Sequence, residues 1–376
     1  MPRFVLIIFF FAQLSEFSFA ARRVTIEQLN QVITSAQGKR DDKIADRLLG
    51  LELGERLNTA KLADLQAALP GPKSREALRI IAGMAEFQDP PATEIPGKPA
   101  PALGEQRDLA ASAIDRVNET IHRLPTLFVS RNADHFEDTP EDLQTINTES
   151  TSGVFTPSQP LHLAGHRTEN LTYRYGEVLI LSGVNERSVA SNDSAGLGST
   201  GEFGQILSTV FSDLSKGKLE WGRWEQAESN TVAVFRFSVP REASHYQLQF
   251  CCIDGEVIEK FSAYHGFVAI DSADGKIQRL VIVTDPAKGE PISKANLMIE
   301  YGTVELGGQK FSCPTRSIAV SIARYQRNHQ KVLPAIGSSV SRGNNVMVDR
   351  DNAAAAPDQI MLNAVVYDHY SLTRPN

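Results

Sequence analysis

Cysteine is scarce in this chain: three residues in 376, at positions 251, 252 and 313. No C-x-x-C spacing occurs among them, which removes the usual dithiol redox motif. Blocks of basic charge are also missing. The formal net charge is −7, and a nucleic-acid-binding face would need a Lys/Arg-rich patch. The eight histidines include no H-E-x-x-H and no other close metal-ligand spacing. Beyond the first 20 residues no stretch is apolar enough to span a bilayer as a helix. No catalytic motif is recognisable, so a non-enzymatic protein without cofactor or metal is expected, with no nucleic-acid partner.

What is present at the start is an export signal. Arg3 precedes the apolar run Phe4–Ala12, and Ser18-Phe19-Ala20 places small residues where a signal peptidase reads. Residues 1–20 are read as a signal peptide with cleavage after Ala20, an uncleaved anchor being the alternative. No cysteine stands near residue 20, which excludes acylation at a lipoprotein cleavage site. The expected location is periplasmic or extracellular. An oxidising compartment favours one disulfide among three cysteines.

Residues 21–87 read as a module of short helices. Thr25 can cap a first helix with Ile26, Leu29, Val32 and Ile33 on one face. Ile44, Leu48, Leu49 and Leu53 repeat the 3–4 spacing; Thr59 starts a third segment, and Ser74 with Glu76 opens a fourth. Residues 88–106 carry five prolines, which neither a helix nor a central strand accommodates. They are read as an extended linker. A longer amphipathic helix follows, with Leu109, Ala113, Val117, Ile121 and Leu124 on one stripe and Pro125 at its end.

From there the period changes to two. Strands are expected at 127–136, 171–182, 231–239, 244–252, 263–271, 276–284, 295–301, 303–306, 309–313, 316–325 and 360–370. Asp254-Gly255, Asp274-Gly275 and Gly307-Gly308 are the turn pairs a tight hairpin needs. Strands joined by hairpins imply an antiparallel meander. Residues 332–358 read as a long mobile loop. The fold class is thus α+β: a short-helix module, a long helix and an antiparallel sheet domain over 107–376.

Several constellations invite a sharper reading. Gly196, Gly198 and Gly201 fit G-x-G-x-x-G, yet a polar loop precedes them where a nucleotide-binding unit needs a buried strand. A flexible loop fits better, with Ser199 or Thr200 capping a helix whose Phe203, Ile206, Leu207, Val210 and Phe211 cover the sheet. His162 and His166 could bind a metal if helical, but Pro160 and Gly165 make the segment a loop. Ser244 and His245 are strand neighbours pointing to opposite faces, so they cannot act as a nucleophile–base pair. Asp271–Gly275 lacks the twelve-residue frame of a calcium loop and reads as a turn. Trp221 and Trp224 are expected in the core. Cys252 shares a strand face with Phe250, and Cys313 with Phe311. A Cys252–Cys313 disulfide is expected, with Cys251 second in line. It would close a loop of about 60 residues and stabilise by roughly 3–4 kcal/mol.

The segments Gly201–Phe211, Val234–Pro240, Tyr264-His265-Gly266, Ile299–Gly302 and Cys313-Pro314, with Leu124-Pro125 and Leu362–Val365, resemble a set of uncharacterised secreted acidobacterial proteins over roughly residues 110–372. More distantly, a long helix before antiparallel strands resembles periplasmic lipoprotein-carrier-like folds. That resemblance implies a curved half-barrel sheet able to hold acyl chains, and the helical module and linker depart from it. It makes the leading expectation a lipid-like or other hydrophobic ligand in a concavity lined by Phe235, Phe237, Tyr246, Leu248, Phe250 and Phe267. The alternative is a structural or protein-interaction module of the cell envelope with a sheet filled by its own helix; the third is an envelope hydrolase. The expected partner is a lipid or an envelope protein.

Overall fold

The structure is a computed structural model that describes residues 21–139, 142–144, 154–156, 158–182, 185–188, 196–197, 201–227, 230–253, 256–290, 292–324 and 358–372. The signal segment and most of the expected 332–358 loop lie outside these residues.

The chain opens with β1 (Arg22–Val24), α1 (Ile26–Ser35), α2 (Asp41–Leu49) and β2 (Leu51–Leu53). β1 and β2 pair in parallel, a geometry that needs a crossover, and α1–α2 provides it. Leu53 therefore belongs to a strand and not to the helical stripe expected for it. Thr25 caps α1 as expected: its Oγ1 accepts from Gln28 N at 3.2 Å while Gln28 Oε1 accepts from Thr25 N at 3.0 Å. α3 (Thr59–Ala67) is capped by Asn58 rather than Thr59, through Lys61 N at 2.8 Å. α4 (Pro72–Met84) starts at Pro72, where the missing N–H removes no helical bond. Ser74 does not cap it. Asp41 of α2 does so from across the module, accepting from Lys73 N and Ser74 N at 3.0 Å each. Leu29, Ile44, Leu48, Leu78 and Ile81 make the module's own core.

α5 (Leu103–Arg123) follows, so the last residues assigned to the linker are already helical. Next come β3 (Leu127–Thr139), β4 (Asp142–Gln144), β5 (Val154–Thr156), β6 (Gln159–Arg174), β7 (Glu177–Ser182), β8 (Asn185–Ser188), β9 (Gly196–Leu197) and α6 (Gln205–Asp213). The remainder is strand apart from a 3-10 turn at Arg241–Ala243: β10 (Lys218–Gln226), β11 (Thr231–Val239), β12 (Gln247–Ile253), β13 (Glu256–Phe261), β14 (Ala263–Asp271), β15 (Ile277–Asp285), β16 (Ile292–Leu306), β17 (Gln309–Arg324) and β18 (Asp358–Ser371).

Eleven strands form one antiparallel sheet in the order β10-β11-β14-β15-β16-β17-β18-β3-β6-β7-β8. The fold is α+β with a curved sheet that stays open between β10 and β8. It is two meanders and not one, joined where β18 pairs with β3. β12 and β13 leave the main sheet and pair with β9 in a three-stranded ribbon, and β4 pairs with β5. Gly307 and Gly308, with φ of 58° and 78°, turn β16 into β17; both positions of this hairpin require positive φ.

Both faces of the sheet are covered. On the inner face, α5 and α6 lie over Ala233, Phe235 and Phe237 of β11, Tyr264 and Val268 of β14, and Leu280 and Ile282 of β15. On the outer face, Ile80 and Met84 of α4, with Phe87, meet Phe136, Val281, Met298, Ile318 and Leu362. Gly83 lets α4 sit this close, because a Cβ there would come within 2.8 Å of Leu362 Cδ1. The proline-rich stretch crosses from outer to inner face along the edge strand β10. Asp89 pairs with Arg223 at 2.8 Å, and Pro99 O accepts from Trp224 Nε1 at 2.9 Å beneath the Lys98 ammonium. The extended linker is thus a strap over the sheet edge.

Candidate functional site

The predicted pocket residues separate. Phe235, Phe237, Tyr246 and Leu248 come together in one cluster on the inner face, 3, 3, 7 and 4% exposed. Phe267 does not join them. It pairs with Arg236 across β11–β14, which puts it on the outer face, half-buried under the Arg223 guanidinium at 5.7 Å. The parity of the pairing register decides this: Phe237 lies opposite Gly266, so its neighbour Phe267 points the other way. The Phe250 side chain, like those of Cys251 and Cys252, lies outside the described residues.

Aromatic contacts knit the inner cluster. Trp221 meets Trp224 at 4.9 Å and Phe235 at 5.4 Å, and Tyr246 meets Tyr264 at 5.4 Å. Trp224 is core, as expected, while Trp221 is half-buried and packs against the cluster from its edge. α6 delivers Leu207 and Val210 onto this surface. Its N-cap is Gly204, with φ of 127° and no side-chain cap; the cap expected from Ser199 or Thr200 is not at that position. Just before the helix, Phe203 stacks on Tyr173 at 5.3 Å and meets Tyr367 edge-on at 5.7 Å. Glu202, 2% exposed, is buried beside it. The Tyr367 hydroxyl bonds to both Glu202 and Arg131, and burial followed by the Glu202 charge raises its pKa. Arg131 also pairs with Glu169 at 2.9 Å. The sequence flags this buried carboxylate only through the glycines at 201 and 204 that flank Glu202-Phe203 as a tight turn.

His245 does not bond to Ser244. Its Nδ1 lies 2.6 Å from Asp213 Oδ1, and Asp213 also accepts from His245 N and Tyr264 OH at 2.8 Å each. Asp213 ends α6, where a negative charge opposes the helix dipole; three donors offset that. His162 and His166 sit in β6, not in a loop. A register shift between them sets His162 opposite Glu137 and His166 opposite Asp134, so the bulge turns them to opposite faces. Among the described residues no group of His, Cys, Asp and Glu could hold a metal ion.

The expected Cys252–Cys313 bond is not formed: Cys313 is a free, buried thiol. Burial pushes that thiol up to about 12, so it is protonated and unreactive at neutral pH. Alkylation followed by peptide mapping is expected to leave Cys313 unmarked in the native chain and to mark it in the unreduced, denatured chain. A Cys313 that stays unmarked after denaturation, and reacts only once reduced, would restore the disulfide.

A second surface lies where the helical module meets the sheet. Glu225, 2% exposed, accepts from Arg56 at 3.2 Å, Arg223 at 2.6 Å and Arg279 at 2.7 Å. Burial alone would raise this carboxyl, but Arg279, Arg56 and Arg223 together hold it below its ordinary range. Arg56 reaches Glu94 as well, and Arg316 pairs with Glu86 and Glu300. Burial, outweighing Arg316, pushes the Glu86 carboxyl up to about 7 from an ordinary 4.5. A raised folded pKa means the stability this group contributes is complete below about 4.5 and is lost as pH rises through about 7. Glu86→Gln is expected to flatten that window in unfolding free energies taken from about pH 4 to 8. An unchanged slope would assign the window to another group. An open cleft of about 900 Å³ adjoins these ion pairs. Sequence reading missed it entirely, because its charges come from five separated segments.

Among comparisons with known proteins, no family model and no curated protein matches the chain. The resemblance to secreted acidobacterial proteins thus gains no support. Two solved structures are among those that align with the chain. A LolA-superfamily protein from Nitrosomonas europaea is 9% identical over 71% of this chain and 94% of its own, with a TM-score of 0.28. The MucA/MucB complex of Pseudomonas aeruginosa contains a chain 9% identical over 69% of this one and 94% of its own, with a TM-score of 0.16. Likenesses of this extent say nothing about what either surface binds.

Proposed function

We propose that the protein is an exported, non-enzymatic interaction module of the cell envelope whose curved sheet is filled by its own helices. The filled inner face carries this reading. α5, the 201–204 turn and α6 close over it, and the void left at their seam, between Val117, Phe203, Leu207 and Tyr301, is about 20 Å³. That is room for about one water, whereas ligand pockets run to roughly 300–1,000 Å³. The ionic cluster of Arg131, Glu169 and Glu202 is largely buried beside Phe203. The N-terminal apolar run supports export, and no described helix is long and apolar enough to cross a membrane.

A hydrophobic ligand is the second reading. One observation favours it: α5 meets the sheet largely through Ala113 and Val117, small groups that would give little resistance to a cover lifting away. Native mass spectrometry of protein purified without detergent separates the two. The mass of the bare chain is expected. A stoichiometric acyl lipid, lost on Val117→Trp, would overturn the self-filled reading and establish carriage.

A further inference from the structure

The main sheet splits beside the large cleft. β15 pairs with β16 only from Val283↔Asn296 to Arg279↔Glu300. β16 runs on to Leu306, paired throughout with β17 and with a register shift at Glu300/Tyr301. Tyr301–Leu306 therefore have a strand neighbour on one side only among the described residues. The hairpin that would have continued beside them is held over α5 instead. Arg116 Nε donates to Asp274 O at 3.0 Å, and Gly275 lies so close to Ser112 that no Cβ fits.

Alternate residues of a strand turn both N–H and C=O to the same edge. Half of the main-chain groups of this six-residue edge, about 20 Å long, thus face the notch. The cleft of about 900 Å³ runs along it, with Tyr301, Thr303 and Ser312 on the β16–β17 side and Gln278 and Arg279 on the other. Nε of Arg56, a residue 7% exposed that lines the cleft, lacks a hydrogen-bond partner. Carboxylates outnumber bases among the lining residues by five to three. Glu94, Glu225, Glu300 and Asp274 are paired with Arg or Lys, while Asp271, on the hairpin side, accepts only from Asn230, Gln278 and Ala273 N and has no basic partner among the described residues.

We propose that this notch binds an extended peptide bearing basic side chains, which adds to the free edge of β16 as a further strand. The inference rests on the interaction-module reading and names the partner's chemistry. Main-chain hydrogen bonds supply the affinity of such an addition and the side-chain pockets its selectivity. Here the acidic excess of the lining, with Asp271 on the hairpin rim, favours Lys or Arg. The free edge is short, which limits pairing with a second sheet, and Arg56 and Asn58 of the helical module line the same cleft.

The test is selection of a random ten-residue display library on the full chain. Binders enriched in Lys and Arg are expected, and the tightest, made as a free peptide, should slow amide exchange at 301–306. Asp274→Asn/Asp271→Asn, which removes two rim charges and keeps the side-chain size, is expected to weaken that peptide several-fold, with circular dichroism checking that the hairpin still folds. Thr303→Pro should weaken it more than tenfold, with circular dichroism checking that the variant folds. No selected peptide, protection confined to the edges at β8 or β10, or a soluble glycan that protects 301–306 and displaces the peptide would each overturn the proposal. A lipid found on the inner face would sink the underlying reading while leaving exchange at 301–306 as it was.

Discussion

Phe203→Ala is expected to lower the unfolding free energy by about 3–5 kcal/mol, the range for truncating a buried phenylalanine. Phe203 is 3% exposed and stands between three tyrosine rings, Tyr173, Tyr367 and Tyr370, at 5.3–6.5 Å. Those rings belong to β6 and β18, two strands that are not neighbours, so a single side chain ties the turn before α6 to both. The truncation removes aromatic contact and also opens the lid over Glu202, whose Oε1 already lacks a partner. Urea titration of the variant measures the loss. A cost under about 1 kcal/mol would mean the turn is not holding the inner face shut, and the self-filled reading would lose its main support.

The second large effect belongs to Glu225. Glu225→Gln leaves Arg56, Arg223 and Arg279 facing one another with no anion between them. Removing one partner of a buried ionic network costs about 3–5 kcal/mol, because the remaining charge stays desolvated. The sign of its pH dependence is opposite to that of Glu86. A carboxyl held low contributes stability above its ordinary range and loses it as pH falls through the folded value. Guanidinium is a poor denaturant for this measurement because it screens the network; urea at low salt is the suitable choice. A Glu225→Leu/Arg56→Met double change is expected to recover part of the loss. If the double change costs more than Glu225→Gln alone, repulsion among the arginines is not the cause.

Much of this fold was legible because the residues state their own period. β11 and β14 occupy the segments expected from alternation, 231–239 and 263–271, and the Asp274-Gly275 and Gly307-Gly308 turns fall where the glycines stand. β6 was not legible over its first half. Gln159–Thr168 is largely exposed on both faces, so no apolar alternation marks it, and its bulge breaks the period between His162 and His166. β10 hides for another reason: Gly222 and the bulge at Trp221/Arg223 interrupt its alternation. The division of the predicted pocket was lost in the same way. Alternation within a strand places Phe235 with Phe237, but only the register across strands shows that Phe267 faces outward. The buried charges at the module junction were beyond any local reading. Arg56 and Glu225 are 169 residues apart, and each looks like an ordinary surface residue in its own segment.

The place of β18 governs how the molecule can be assembled. It lies in the middle of the sheet, between β17 and β3, although it is the last element of the chain. As the chain is synthesised from its N-terminus, β3 is present long before β18 is. Until then the two meanders are separate ribbons, each with an unsatisfied edge where the other should be. Contacts this far apart in sequence form slowly, and open strand edges are the surfaces through which unfolded chains associate. The continuous sheet therefore cannot close until β18 is available to pair with both β17 and β3.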